Sequence, residues 1–146
     1  FIILTKGEGT MYHSFDHFAP HVGKIDKRSV GSLISGETGE TTAYSLWKLQ
    51  ERGPIFIHPA TKIYEGMIIG EHNQGTDLTV NATKGKKLTN VRSSGADDAI
   101  NLTPPLEMTL EKALEYIKED EYVEVTPESI RLRKKFLTEV ERKRNK

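Results

Sequence analysis

The sequence predicts a β-rich α+β fold, with a few short helices and one long exposed basic loop. Three observations carry this. Alternating or β-branched stretches recur between glycine and proline turns. The clearest helical periodicity falls late in the chain, after Pro104-Pro105. Between these regions lies a polar run, residues 83–99, almost devoid of large apolar side chains. A run of that length in a compact domain is expected to be functional or disordered.

Taken in order, GTMYHSFDHF over residues 9–18 alternates, carries aromatics and stops before Pro20, which predicts a strand. Val30–Ser35 and Thr41–Tyr44 flank Gly36-Glu37-Thr38-Gly39, which predicts a hairpin. Ser45 is placed to cap a short helix, LWKLQER, that Gly53-Pro54 ends. Pro54–His58 is a short apolar piece. KIYEGMIIGEH, Lys62–His72, is β-rich and interrupted by Gly66 and Gly70. Asp77–Asn81 alternates again, with Leu78 and Val80 on one face. Thr109 is expected to cap a helix whose inward stripe is Leu110, Ala113, Leu114 and Ile117, with Glu111, Glu115 and Glu119 outside. Tyr122, Val123 and Val125 suggest a strand, Thr126-Pro127-Glu128-Ser129 a turn. A second strand follows, in which Ile130 and Leu132 alternate with Arg131 and Arg133. The two arginines then share a face, about 6.6 Å apart. Thr138 with Glu141 reads as a capping box for a last basic helix.

The chain has 146 residues, 36% hydrophobic and 29% charged, with a mean hydropathy of −0.53. No apolar run approaches the roughly 20 residues of a membrane helix, and no secretory leader is visible. The sequence holds no cysteine, which removes disulfides, thiolate zinc sites and a cysteine nucleophile together. A cytoplasmic protein is expected. The chain opens on Phe1-Ile2-Ile3-Leu4 rather than Met and is read as a piece of something longer.

The formal net charge is zero, but the charge is segregated. Glu107–Glu128 holds eight acidic residues against two basic ones, a net of −6. Ile130–Lys146 holds eight basic against two acidic, a net of +6. Lys84, Lys86, Lys87 and Arg92 form a further cluster with no acidic residue inside it. Local fields rather than the average therefore select partners.

Catalytic chemistry finds little support. A phosphate loop requires G-x-x-x-x-G-K-[ST]. Gly23-Lys24 is followed by Ile25, and Gly85-Lys86 by Lys87 with Val80 where the first glycine belongs. His13, His17 and His21 are spaced by four, but on a strand that spacing spreads them about 13 Å apart, so polar strand positions are favoured over a metal site. Asp97-Asp98 and Glu119-Asp120-Glu121 sit in polar runs and read as solvated acids, with Asp97-Asp98 marking the end of the basic loop. No catalytic, metal or cofactor-binding residue is assigned.

The residues singled out for RNA binding are Lys84, Lys86, Lys87, Asn90, Arg92, Ser93 and Ser94 in the loop. To these are added Arg131, Arg133, Lys134, Lys135, Arg142, Lys143 and Arg144 in the tail. Lysine and arginine supply phosphate contacts, Asn and Ser supply hydrogen bonds, and glycine lets the backbone approach closely. A merely solvated loop competes with this reading. For the tail the competing reading is neutralisation by the acidic stretch just upstream.

The run DLTVNATKGKKLTNVRSSGADDA resembles the signature of the C-terminal domain of BipA/TypA translational GTPases. KLQERG, IYEGMIIGEH, PPLEMTLEKALEYI and VEVTPESIRLRKKFL resemble its other blocks in the same order. TKGEGTMYHSFDHFAP is similar to the last strand of the preceding domain, the one shared with elongation factor G. The resemblance implies that residues 1–22 are the remnant of that fifth domain and residues 23–146 the family-specific C-terminal domain. It implies a monomer docking near the peptidyl-transferase region of the large ribosomal subunit. Its loop, Lys84–Asp98 here, would meet large-subunit rRNA and the acceptor arm of A-site tRNA. Ala96-Asp97-Asp98 departs slightly from the commoner acidic pattern. GTP and magnesium would belong to a G domain absent from this chain. Large-subunit assembly, cold growth and stress responses are the family's implied processes. The alternative from a different class is a protein-interaction module using the acidic helix or basic tail.

Overall fold

Every residue of Gly31–Ser35 (β1) is buried, so this strand must lie inside a sheet covered on both faces. In the computed structural model, which describes residues 1, 4–5, 8–23, 28–85 and 100–145, it does. The remaining strands are β2 (Gly39–Glu40), β3 (Lys62–Ile63), β4 (Met67–His72), β5 (Leu78–Val80), β6 (Glu121–Val125) and β7 (Ile130–Lys134). Five of them form a mixed sheet in the order β5-β1-β4-β7-β6, and β2 pairs with β3 in a small second sheet. β1 runs parallel to β5 and antiparallel to β4, with an irregularity between Leu33 and Ile34.

Alternation sorts the core into two layers. Leu33, Met67, Ile69 and Ala82 pack on one face with Leu46 and Leu49 of α1 (Ala43–Leu49). Ile34, Ile68 and Leu132 pack on the other with Ala113 and Tyr116 of α2 (Leu110–Tyr116). Each fully buried aliphatic side chain stabilises the fold by about 1.5–3 kcal/mol, so the β1–β4 pair is the centre of both layers.

The expected hairpin across residues 36–39 does not form. β1 pairs with β4 and β5, while β2 pairs with β3. The two glycines do turn the chain, but β1, with Leu33 and Ile34 buried on opposite faces, gains more from central placement than from a polar local partner. Thr42, not Ser45, caps α1, its Oγ1 accepting from Ser45 N at 3.2 Å. A 3-10 turn, Gln50–Arg52, carries the helix to Gly53 as expected. Residues 9–18 form no strand, and Tyr12 and Phe18 are about nine-tenths exposed. A strand needs a neighbour for its backbone groups, and none of the described residues pairs with this segment.

The α2 stripe is also rotated from its expected position. Thr109 caps the helix, and Ala113 and Ile117 meet the core as expected, but Tyr116 joins them while Leu110 and Leu114 are 39% and 54% exposed. Phe56 draws Tyr116 inward through an edge-on ring contact at 5.3 Å. The last helix, α3 (Glu139–Arg144), has the full Thr138/Glu141 capping box.

Gly66 ties these layers together. Its φ is +87°, its N–H donates to Ser35 O, and its carbonyl accepts from Lys134 N. A Cβ there would lie 2.6 Å from Leu137 Cα. Gly66→Ala is expected to lower stability by about 2–4 kcal/mol, from left-handed strain plus displacement of backbone. Urea unfolding checks this, and an unchanged midpoint would show that the turn relaxes freely.

Candidate nucleic-acid interface

Of the loop residues singled out for RNA, Lys84 is described. It is exposed, and its carbonyl accepts from Thr42 Oγ1 at 2.7 Å. Lys86, Lys87, Asn90, Arg92, Ser93 and Ser94 lie outside the described residues. The described ends of this stretch rest on α1 and the 3-10 turn that follows it. Ala82 O accepts from Ser45 Oγ at 2.5 Å, and the Gln50 side chain bonds Asn101 O and Thr103 N, both at 3.0 Å.

The basic tail divides by strand parity. Leu132 and Lys134 face the α2 layer, Arg131 and Arg133 the opposite side. Lys134 is a correction to the sequence reading. It is 1% exposed, and its Nζ contacts Asp77 at 2.6 Å, Asp120 at 2.7 Å and Glu121 at 2.8 Å. Three carboxylates already occupy its donors, so no phosphate can be held by it. The neutralisation reading fits this residue.

The surrounding cluster was not apparent from sequence. Arg28 donates from Nη2 to Glu121 Oε1 at 3.0 Å and to Ser32 Oγ at 3.1 Å. Its guanidinium lies 3.8 Å from the Tyr116 ring centroid, and its buried Nε and Nη1 have no hydrogen-bond partner. Burial alone would raise the carboxyl pKa values of Asp77 and Glu121. Hydrogen bonding and charge from Lys134, helped by Arg28, outweigh burial and hold both below their ordinary values. Burial would likewise lower Lys134, but its three acid partners hold it above the usual lysine value. The Tyr116 hydroxyl is pushed up to about 12, chiefly by burial.

The other tail cations are variously engaged. Arg142 turns back to Phe136 O and Leu137 O, and donates to Thr79 Oγ1 at 3.1 Å, so it fastens α3 to β5. Lys143 pairs with Glu139 one turn earlier at 2.6 Å, an exposed contact. Such a pair is worth little and yields easily to a phosphate. Lys135 and Arg144 are exposed. Arg131 donates to Ser129 Oγ at 3.1 Å. Arg133 Nε lies 2.7 Å from Glu124 Oε1 without good hydrogen-bond alignment. The cations on the side away from α2 are therefore Arg131 and Arg133, both half-buried, with exposed Lys135 just past β7 and Tyr122 of β6 beside Arg133. Tyr122 was read only as a strand residue; the β6–β7 register, which sets it opposite Arg133, places it on the arginine face.

Among the described residues no group of three or more His, Cys, Asp or Glu side chains is placed to hold a metal ion, and no described helix is long and apolar enough to cross a membrane. His13, His17 and His21 are exposed, and His17 contacts neighbouring Asp16 at 2.6 Å.

A family model described as the TypA/BipA C-terminal domain matches residues 30–139. The chain belongs to that family. The match runs from just before β1 to the first residue of α3, so it takes in the whole five-stranded sheet. Among curated proteins, the chain is 54% identical over 145 residues to the large ribosomal subunit assembly factor BipA of Haemophilus influenzae. It is 52% identical over 144 residues to the protein of that name from Buchnera aphidicola, and 50% over 145 residues to that of Escherichia coli K12. These alignments cover 98–99% of this chain but 24% of each relative. The chain thus spans about a quarter of the length of the BipA proteins it matches, and corresponds to their C-terminal region.

Proposed function

We propose that this chain is the ribosome-binding C-terminal module of a BipA/TypA translational GTPase acting in large-subunit assembly. It would contact large-subunit rRNA and A-site tRNA through the basic segment Lys84–Ser94. Arg131, Arg133, Lys135 and Arg144 would add a second cationic surface. The observation that carries this reading is family membership together with the relatives' shared name as large-subunit assembly factors. The charge pattern supports it physically. After Lys134 and Arg142 are subtracted as structural, exposed cations remain where a phosphate backbone can reach them.

Neither glycine-lysine pair has the phosphate-loop pattern. The fragment is proposed to have no turnover of its own, with GTP hydrolysis and magnesium belonging to the longer parent. Residues 1–22 are assigned to the preceding domain, whose strands would supply the pairing that residues 9–18 lack. A cytoplasmic monomer with roles in cold and stress adaptation completes the proposal.

The test is co-sedimentation with purified large ribosomal subunits across a salt series. Affinity should fall by about 1000-fold between 50 and 200 mM salt if six or so phosphates are contacted. RNase treatment should abolish binding. Salt-insensitive binding that survives RNase would sink the RNA reading in favour of a protein partner for the acidic or basic surface.

A further inference from the structure

We propose that the Tyr122–Arg133 face of β6 and β7, at the sheet edge, binds single-stranded RNA, with an unpaired base stacked on the Tyr122 ring. This rests on the RNA-binding reading above and adds the kind of RNA and the residue that recognises it.

The placement follows from strand geometry. β6 pairs only with β7 in the sheet order, so it is an edge. The register sets Tyr122 opposite Arg133 and Glu124 opposite Arg131, all on the face turned away from Leu132 and Lys134. Lys135 is exposed and lies one residue past the end of β7. Arg131 and Arg133 are about 6.6 Å apart along the strand, and with Lys135 beyond its end they offer a row of cations to an extended phosphate backbone. Neither core cluster includes Tyr122, which is 43% exposed. The Arg133 guanidinium sits 5.1 Å from its ring centroid.

The carboxylate that these strands place on the same face is already committed. Glu124 accepts from the Tyr64 hydroxyl at 2.5 Å and lies 2.7 Å from Arg133 Nε. Burial and the Glu124 bond both push the Tyr64 hydroxyl pKa up, so Tyr64 holds its proton and remains a donor. Glu124 thus serves to orient Arg133, and the face keeps a net positive charge from Arg131, Arg133 and Lys135.

An open aromatic ring beside an arginine, next to a row of cations, matches the requirements of single-stranded nucleic acid. There each base presents a π-face for stacking, and the backbone follows the positive groove. A duplex hides those faces within its own stack. An acidic peptide would use the cations but have no need of the ring.

The experiment uses the 146-residue chain, a fluorescein-labelled uridine 12-mer and a 12-base-pair RNA duplex, read by anisotropy at 50 mM salt. All variants are made both alone and with Lys86→Gln, Lys87→Gln and Arg92→Gln, so that the loop does not mask the strand face. Tyr122→Leu should weaken the single strand by roughly 5- to 100-fold, as loss of one stacked base does. Tyr122→Phe should bind like the unaltered chain, and duplex binding should be the same in all three. Equal single-strand affinity of Tyr122→Leu and the unaltered chain overturns the platform while leaving the RNA reading intact. Equal losses for strand and duplex also overturn it. So does a poly-glutamate peptide that displaces the 12-mer as well from Tyr122→Leu as from the unaltered chain. If the unaltered chain binds neither RNA, the underlying reading fails with it.

Discussion

With Lys86, Lys87 and Arg92 all changed to Glu, co-sedimentation with large ribosomal subunits should drop by about 1000-fold or more at low salt. The three residues lie outside the described part of the structure, so the reasoning is electrostatic. Between Lys84 and Gly95 the sequence carries four cations and no acid. The substitutions turn that +4 into −2, replacing attraction to phosphate with repulsion. The remaining binding should also lose salt dependence, its log–log slope shrinking by roughly 2–3 as three phosphate contacts disappear. Thermal unfolding of the variant serves as the control for folding. Unchanged sedimentation with an unchanged melt would remove the segment from the interface and leave Arg131, Arg133 and Lys135 as the surface to examine. The same triple change made to Gln separates loss of attraction from added repulsion, and should fall between the two.

How much of this was legible in the sequence depended on distance along the chain. Local devices read correctly. Thr109 caps α2, the Thr138/Glu141 box caps α3, and the turn at residues 126–129 joins β6 to β7. Leu78 and Val80 share a face, as their spacing requires. Pairings between distant segments did not read. The parallel alignment of β1 with β5 joins residues about 45 positions apart, and no local signal distinguishes it from the nearer hairpin across residues 36–39. Residues 9–18 carry a strand pattern without a partner among the described residues, and pattern alone forms no ladder. The α2 stripe held at Ala113 and Ile117 but missed at Leu110 and Leu114 for another reason. Leucine usually outranks tyrosine as a core residue, but Phe56 and Arg28 both contact the Tyr116 ring, and the helix turns to bury it. For the candidate interface, charge composition found the cations but not their assignments. Arg131 and Arg133 were placed on one face by parity, and the structure bears this out. The same parity places Lys134 with Leu132, on the buried side, so that signal was present. What hid it was composition: in the basic run Arg133-Lys134-Lys135 a buried lysine looks like its neighbours.

Replacing Lys134 by Met should destabilise the fold by about 3–5 kcal/mol at neutral pH, because it strands acids already taken out of water. Glu121 has no exposed side-chain surface, and Asp77 and Asp120 are 33% and 58% exposed. Glu121 keeps Arg28 as a partner, while Asp77 and Asp120 can turn toward solvent, which favours the lower end of that range. Against a total of about 5–15 kcal/mol for a domain of this kind, the loss would be visible as a large drop in the urea midpoint. Its pH dependence identifies the cause. Asp77 and Glu121 have folded pKa values held below their unfolded ones. Their contribution is therefore present above about pH 4 and disappears as pH falls through the depressed folded values. Lys134 has a folded pKa above its unfolded value of about 10.4. Its contribution is complete below that and is lost only as pH rises through the folded value. Between about pH 5 and 9 the cluster should thus contribute a constant amount. In Lys134→Met the acids lose their main counter-charge and burial dominates, so they gain by protonation. The stability gap between the two proteins should accordingly close as pH falls below about 4. A gap that stays constant down to pH 3, or one under about 1 kcal/mol at pH 7, would mean that Arg28 alone holds the acids and that Lys134 is there for its packing.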